Sequence, residues 1–447
     1  MAPAAQEQWY ILYAVPDVSE DLMKTQKFPN ATFSFNKVPL PSRLFVESSI
    51  ASPAGMVEYP YIAAADRSGH LLLCGYTSFG LTVYICDPFF RRTTGIFPHD
   101  GGFDCRHCVG LIRNHDRRLL MVADLSPCFF EQVVFFTLFC TVDLHSWVEK
   151  EPDCSKILDK RPWRGDGVLT HQGLLWWFDF SYCILACDPF HDKPVLHQIK
   201  FPHVHVQHEL PFAPSTINGD THRCLKASQG SLRYVQIHGP RGEPVVSMWT
   251  LSSNNNNPSE AQWNPTHQVR LAEIWNHETY KRTPLRRDVI PTVVLVNPTK
   301  AHEVYFFLDK HIFSVNLHNS SVVQYDKFED LGMPDLSSRL LHAWQLPPEL
   351  TEYHPLPGTD VLGATGVYFL NQYDSVEDFH EEVIAATDRW CPELHEMGLE
   401  ELEDGDDDAS EMSEDLEGGG DDSETSGDLE DDSEINEEDV EEDGDED

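Results

Sequence analysis

From Phe45 to Tyr373 the chain alternates between short apolar segments, rich in Val, Leu, Phe, Tyr and Trp, and breaks made of Gly, Pro, Asn and Asp. Apolar runs of this length closed by turn formers predict short strands rather than helices. Strands are expected at His70–Gly75, Leu81–Cys86, Leu119–Asp124, Leu174–Phe180, Leu232–His238, Val245–Leu251, Thr292–Val296, Val304–Leu308 and His311–Leu317. The longest apolar run, Val133–Val142, is about half the ~20 residues a membrane helix requires and reads as a buried strand.

An internal repeat gives the strands an arrangement. One copy reads Gly69-His-Leu-Leu-Leu-Cys-Gly, then Val83-Tyr-Ile-Cys-Asp-Pro-Phe, then Ile96-Phe-Pro. The other reads Gly173-Leu-Leu-Trp-Trp-Phe-Asp, then Cys183-Ile-Leu-Ala-Cys-Asp-Pro-Phe, then Ile199-Lys-Phe-Pro. Cys86-Asp87-Pro88 and Cys187-Asp188-Pro189 lie 101 positions apart. With weaker copies between them the period is about 50 residues, the size of a propeller blade. Within a copy, Gly opens a strand, a second strand carries alternating apolar residues inward, and Asp-Pro turns the chain: Pro fixes φ and Asp bonds the backbone ahead of it. Trp176, Asp179, Cys187, Asp188 and Pro189, with Cys86, Asp87 and Pro88, are therefore structural residues of the repeat. The expected fold is all-β, a propeller-like repeat of short antiparallel strands with five or six units at about 61–100, 109–150, 165–202, 222–275, 291–330 and a degenerate one ending near Tyr373. The early strand Trp9–Val15 is a candidate to complete the last unit and close the ring. A β-sandwich or a pair of smaller barrels is the alternative.

The texture changes at both ends, so residues 1–44 form an N-terminal segment and 45–373 the β domain. Over 374–395 a helix is expected: Ser375 caps it, and Val376, Phe379, Val383, Ile384 and Trp390 share one face. The formal charge of the chain is −42, and 29 of its 74 acidic residues fall between Glu396 and Asp447, where there is no Lys or Arg. A segment so charged and so poor in apolar residues does not repay the entropy of ordering, so 396–447 is expected to be a disordered acidic tail. The remainder is still acidic, which argues against binding phosphate backbones and leaves basic protein partners for the tail, or mere solubility. Met1–Gln8 carries no basic region typical of a secretory leader, and eleven Cys then read as reduced thiols. The expected setting is cytoplasmic or nuclear, not secreted and not in a membrane.

Candidate chemistry is sparse. His203, His205 and Glu209 imitate the His-x-His-x3-Glu ligand run of cupin barrels, but His197 and Thr216 stand where that family places Gly, and no second ligand motif follows. Cys105 and Cys108 have the spacing of half a zinc site, and a closed site needs four ligands. Neither set is taken as a metal centre, and no cofactor is expected. Gly165-Asp-Gly167 lacks the third glycine of a dinucleotide loop, and neither Gly-Lys-Ser/Thr nor Gly-x-Ser-x-Gly occurs. Trp176, Trp177, Trp249, Trp275 and Trp344 belong to the core or form a stacking surface for a ligand.

The second copy and the chain beyond it resemble a plant family, abundant in grasses, known as domain of unknown function 1618. The resemblance rests on Leu175-Trp-Trp-Phe-Asp179, Ile184-Leu-Ala-Cys-Asp-Pro-Phe190, Phe201-Pro202, Gly230-Ser-Leu-Arg-Tyr-Val235, Met248-Trp-Thr-Leu251, Ile274-Trp275, Ile290-Pro-Thr292 and Glu303-Val-Tyr-Phe-Phe307. It is closest over 165–325 and looser before that, including Val122-Ala-Asp-Leu125. It implies no chemistry and no site residues. The units are also similar to the propeller repeats that follow F-boxes in plant ligase adaptors, although residues 1–45 show no F-box helical pattern. Three readings stay open: a non-enzymatic protein-interaction module, which ranks first; a small-ligand binder or enzyme using a central pocket; and an acidic-tail chaperone or chromatin-associated factor.

Overall fold

The computed structural model describes residues 9–346, apart from 20–30, 49, 51–58, 67, 78–79, 89–91, 97, 100–102, 104–106, 115–118, 131–132, 143–145, 156, 158–162, 164, 203–220, 241, 253–257 and 329–336. The chain divides into a unit of Met1–Gln372 and a second of Tyr373–Asp447. The expected helix at 374–395 and the acidic tail lie in the second unit, outside the described residues.

The first unit is an all-β, six-bladed propeller. Its N-terminal strands are β1 (Trp9–Tyr13), β2 (Asp17–Ser19), β3 (Ala31–Ser34) and β4 (Arg43–Glu47). Blade one comes next with β5 (Tyr61–Ala65), β6 (Leu71–Thr77), β7 (Gly80–Asp87) and β8 (Arg92–Ile96). Blade two holds β9 (Val109–Asn114), β10 (Leu119–Phe130), β11 (Val133–Thr141) and β12 (Trp147–Lys150). Blade three holds β13 (Gly167–His171), β14 (Leu174–Asp179), β15 (Cys183–Cys187) and β16 (His197–Lys200). Blade four holds β17 (Arg223–Ser228), β18 (Ser231–His238), β19 (Val245–Ser252) and β20 (Gln262–Arg270). Blade five holds β21 (Thr292–Val296), β22 (Glu303–Leu308), β23 (His311–Asn316) and β24 (Ser321–Lys327), and β25 (Leu341–Gln345) comes last. Within each of these five blades the strands pair in sequence order, all antiparallel.

Local chemistry explains the tight joints. β13 and β14 are joined by Gln172-Gly173, and β17 and β18 by Gln229-Gly230, with φ values of 51° and 75°, and 48° and 73°. Two successive positive φ angles make the turn whose twist matches that of a hairpin, and Gly adopts them without a Cβ clash. Where β15 ends, the Asp188 carboxylate accepts the Phe190 N–H at 2.9 Å.

The middle strands depart from the expected inward alternation. All five residues of β15 and all six of β22 are buried. A blade packs on a neighbour at each face, so a middle strand is covered on both sides and loses its period of two. Outer strands keep exposure, as in β20 and β24. The cores lie between blades: Leu125, Phe136, Trp177, Cys183 and Leu185 join blades two and three, and Phe178, Ile184, Leu225 and Tyr234 join three and four. The expected fourth unit does not end as strand. Its tail is helical, α1 (Leu271–Asn276) and α2 (Glu278–Lys281), which bury Leu271, Ile274 and Tyr280 on the way to blade five.

Blade six is assembled from both ends of the ring. β1 pairs antiparallel with β25, from Trp9 opposite Gln345 to Tyr13 opposite Leu341. Its other edge meets the start of β4: Tyr13 N–H donates to Ser42 O at 2.9 Å, and Ser42 N–H to Ile11 O at 2.6 Å. β4 then carries β3 antiparallel and β2 parallel. Trp344 fills the seam, fully buried, its ring 4.9 Å from Phe33 and 5.8 Å from Phe35, with Nε1–H donating to Gly69 O at 3.0 Å.

Candidate ligand site in the central channel

The first strand of each blade faces the axis. β5, β13, β17 and β25, with the turn Ser338–Leu340 that precedes β25, line a partly open cavity of about 140 Å³. Its polar lining is Tyr61, His107, Thr170, Lys226, Ser338, Arg339 and His342, among Ala, Val, Leu and Phe side chains. Lys226 reaches from blade four to blade six, where its ammonium donates to Leu341 O at 2.9 Å. It keeps some accessible surface within the channel. Burial pulls that ammonium below its ordinary pKa, and the Cys224 thiol on the same strand opposes the shift. Burial in turn pushes Cys224 up to about 12.

His342 Nε2 lies 2.7 Å from Ile62 O, so that nitrogen carries the proton. Burial first, and then the Lys226 charge, lower His342 to about 3, against the opposing pull of the Ile62 carbonyl. The imidazole is therefore neutral at physiological pH. Arg339 lies 4.0 Å from Asp166 Oδ1, and its carbonyl accepts the Tyr61 hydroxyl at 3.1 Å. Asp166 Oδ2 also accepts the Phe180 N–H at 2.7 Å. The arrangement is a small chamber lined by two cations, Lys226 and Arg339, and by two histidines, of which His342 is neutral.

A second polar cluster lies in blade two. His99 Nε2 is 3.2 Å from Asp124 Oδ2, which also accepts the Ser126 hydroxyl at 3.3 Å. His99 stacks on Phe139 at 3.7 Å, with the Trp147 ring 5.2 Å away. Ser126 bonds the carboxylate rather than the imidazole, and all three side chains are buried. The grouping packs a blade and presents no activated nucleophile.

His203, His205 and Glu209 lie outside the described residues, as does Cys105. Cys108 is buried, with its carbonyl accepting Trp177 Nε1–H at 2.6 Å. The repeat residues sit within the blades. Trp176 Nε1–H donates to His171 O at 3.0 Å, and Asp179 Oδ1 accepts the Ser181 N–H at 2.9 Å. Pro189 O, in the Asp-Pro turn, accepts Lys150 Nζ at 2.7 Å and so ties blade two to blade three. In the matching turn of blade one, Asp87 lies 3.5 Å from His70 Nε2. Cys86 and Cys187 are buried, and burial raises both thiols far above the ordinary value. Trp177 and Trp344 are wholly buried, Trp176 nearly so, and Trp249 and Trp275 are half-buried.

Lys226, Arg339 and His342 belong to no motif in the sequence. The one available signal is a lone Lys in the apolar strand Cys224-Leu-Lys-Ala.

Residues 177–305 match the model of the family described as Protein of unknown function (DUF1618), within the span where the resemblance is closest. Comparison with curated proteins finds no match. Among solved structures, apo AztD from Citrobacter koseri aligns at 11% identity and a TM-score of 0.27, over 60% of this chain and 58% of that one. This chain thus spans less than two thirds of AztD. The Cps50 (Swd1) β-propeller domain of Myceliophteria thermophila aligns at 11% identity and 0.32, over 66% and 98%. Penicillium chrysogenum α-L-arabinanase complexed with arabinobiose aligns at 11% identity and 0.31, over 71% and 85%. No helix among the described residues is long and apolar enough to cross a membrane.

Proposed function

We propose that this protein is a non-enzymatic interaction module whose ring holds an apolar ribbon out to a protein partner. The observation that carries the reading is the length of β10 and β11. β9 pairs with β10 only as far as Asp124, and β12 pairs with β11 only from Leu138 onward. From Ser126 to Thr137 the two strands pair with each other and, among the described residues, with no other strand. The first two of these five residue pairs are anchored by the buried Ser126 and Phe136, and the remaining three at about 3.3 Å each extend the ribbon by roughly 10 Å. Phe135 on this ribbon is 51% exposed, and elsewhere on blade two Val142, just past the far end of β11, and Val148, opposite Cys140 on β12, are 54% and 42% exposed. They are three of the five large exposed apolar side chains among the described residues, and Phe135 is the one on the ribbon itself. A strand pair with open edges and exposed apolar side chains suits addition of a partner strand or an apolar segment. Basic partners for the acidic tail belong to the same proposal, as a second contact that salt would weaken.

The test is affinity purification with the full chain beside Phe135→Asp/Val148→Asp, each shown to fold by circular dichroism. A protein retained by the native chain, lost with the double variant and recovered with Phe135→Tyr supports the reading. Identical retained proteins for native and double variant overturn it.

A further inference from the structure

The channel carries an inference independent of the interaction role. Its cavity of about 140 Å³ has room for roughly four water molecules at their liquid volume, or one ion of phosphate size. Two cations, Lys226 and Arg339, line it, and the described lining residues include no Asp or Glu. With Glu396–Asp447 set aside, the rest of the chain still holds more acidic than basic residues, so a chamber lined by two cations stands apart from the composition around it.

Both cations have donors to offer a ligand. A lysine ammonium has three donors, and Lys226 makes one hydrogen bond, to Leu341 O. Arg339 has five donors, and Asp166, at 4.0 Å, stands beyond hydrogen-bond length. The Phe180 N–H takes Asp166 Oδ2, and Oδ1 stays opposite Arg339 as a long ion pair. Ser338 adds a hydroxyl to the same wall, whereas the Thr170 hydroxyl is spent on Leu111 O. His342 is committed as a donor to Ile62 O and adds no positive charge there. The plainer account is that Lys226 is a staple from blade four to blade six. A neutral donor would serve that purpose without drawing a charge into the channel, and a partly desolvated charge is costly unless something offsets it.

We propose that the channel cavity binds a compact oxyanion, a phosphate or carboxylate group, held between Lys226 and Arg339. The ammonium meets it as a point charge, and the guanidinium offers paired donors to two of its oxygens.

The experiment uses the full chain, with inorganic phosphate and malonate as probes and chloride at equal ionic strength as the control. Titration calorimetry and phosphorus NMR line broadening read binding, and melting temperature reads its linkage to folding. One saturable site is expected for at least one probe. Lys226→Met and Arg339→Gln should each weaken it about tenfold or more, the scale of one charge-assisted hydrogen bond. Phosphate alone, malonate alone, or mutual competition identifies which oxyanion the chamber accepts. Two results overturn the proposal: neither probe saturates, or both variants bind as the native chain does. Should Lys226→Met fail to fold, Arg339→Gln, which gives up only a long contact to Asp166, decides the matter.

Discussion

Trp344→Ala tests whether the ring is closed by the pairing of its first and last strands. The side chain is fully buried at the seam of blade six, against Phe33 and Phe35, with its indole N–H on Gly69 O of blade one. Removing a buried Trp costs about 3–5 kcal/mol in lost transfer energy and cavity. Stranding the Gly69 carbonyl adds about 1 kcal/mol. The total, about 4–6 kcal/mol, is a large share of the ~5–15 kcal/mol by which a domain is stable. Trp344→Phe keeps most of the ring and loses the hydrogen bond, so about 1–2 kcal/mol is expected. At about 2 °C per kcal/mol for a domain of this size, calorimetry should show a fall of roughly 8–12 °C for Ala and 2–4 °C for Phe. Location separates this from ordinary core damage. β1 and β25 are held together by no short connection, so hydrogen exchange should rise first in them. Trp177→Ala, equally buried but within blade three, should destabilise as much without exposing β1. A melting point within about 2 °C of the native value for Trp344→Ala, or unchanged protection in β1, would refute the seam account.

Glu303 is buried in blade five, where its carboxylate accepts from the Tyr305 hydroxyl (3.1 Å), Ser314 hydroxyl (2.9 Å) and Asn297 amide (3.2 Å). Glu303→Leu should cost about 3–5 kcal/mol in chemical denaturation, since it leaves buried donors without an acceptor; a loss under about 1 kcal/mol counts against that network. His342 has a folded pKa of about 3, below the ~6.5 of an unfolded chain, so between those values the unfolded state binds the extra proton and stability falls as pH falls. The stability of the native chain over His342→Gln should therefore shrink as pH drops below about 6.5, by at most about 1.4 kcal/mol per unit; a pH-independent difference rejects the assignment. Gly165 has φ of 66°, and a Cβ there would press on Cys108 Sγ. Gly165→Ala should lower stability by about 1–3 kcal/mol, with partial recovery on adding Cys108→Ala, and an unchanged melting curve would contradict the packing.

Much of the propeller is legible because a blade is a local object. Its strands succeed one another along the chain, and its turns use residues whose backbone preferences are strong, as at Gln172-Gly173 and in the Asp188-Pro189 turn. Thr292–Val296 is expected and observed with the same bounds, since β-branched residues bounded by Asn and Pro leave little choice. The helices α1 and α2 escape the sequence pattern because they follow the polar, largely exposed strand β20 and α1 buries only Leu271 and Ile274. Two buried positions are too few to establish a period of 3.6. Blade six has no local signature, since its strands come from both ends of the ring.

The channel chamber is hidden for a related reason. Lys226 lies on β17, Arg339 in the turn before β25, and Tyr61 on β5, far apart in the sequence. A motif records residues that one element brings together; these converge only when the ring closes and the first strands of several blades face one axis. The same closure sets their electrostatics. Lys226 lowers His342 only because β17 and β25 face each other across the channel. In a closed repeat fold the blades can be read one at a time. The site at their centre depends on the order in which they are joined, and on which inner strands carry the exceptional polar residue.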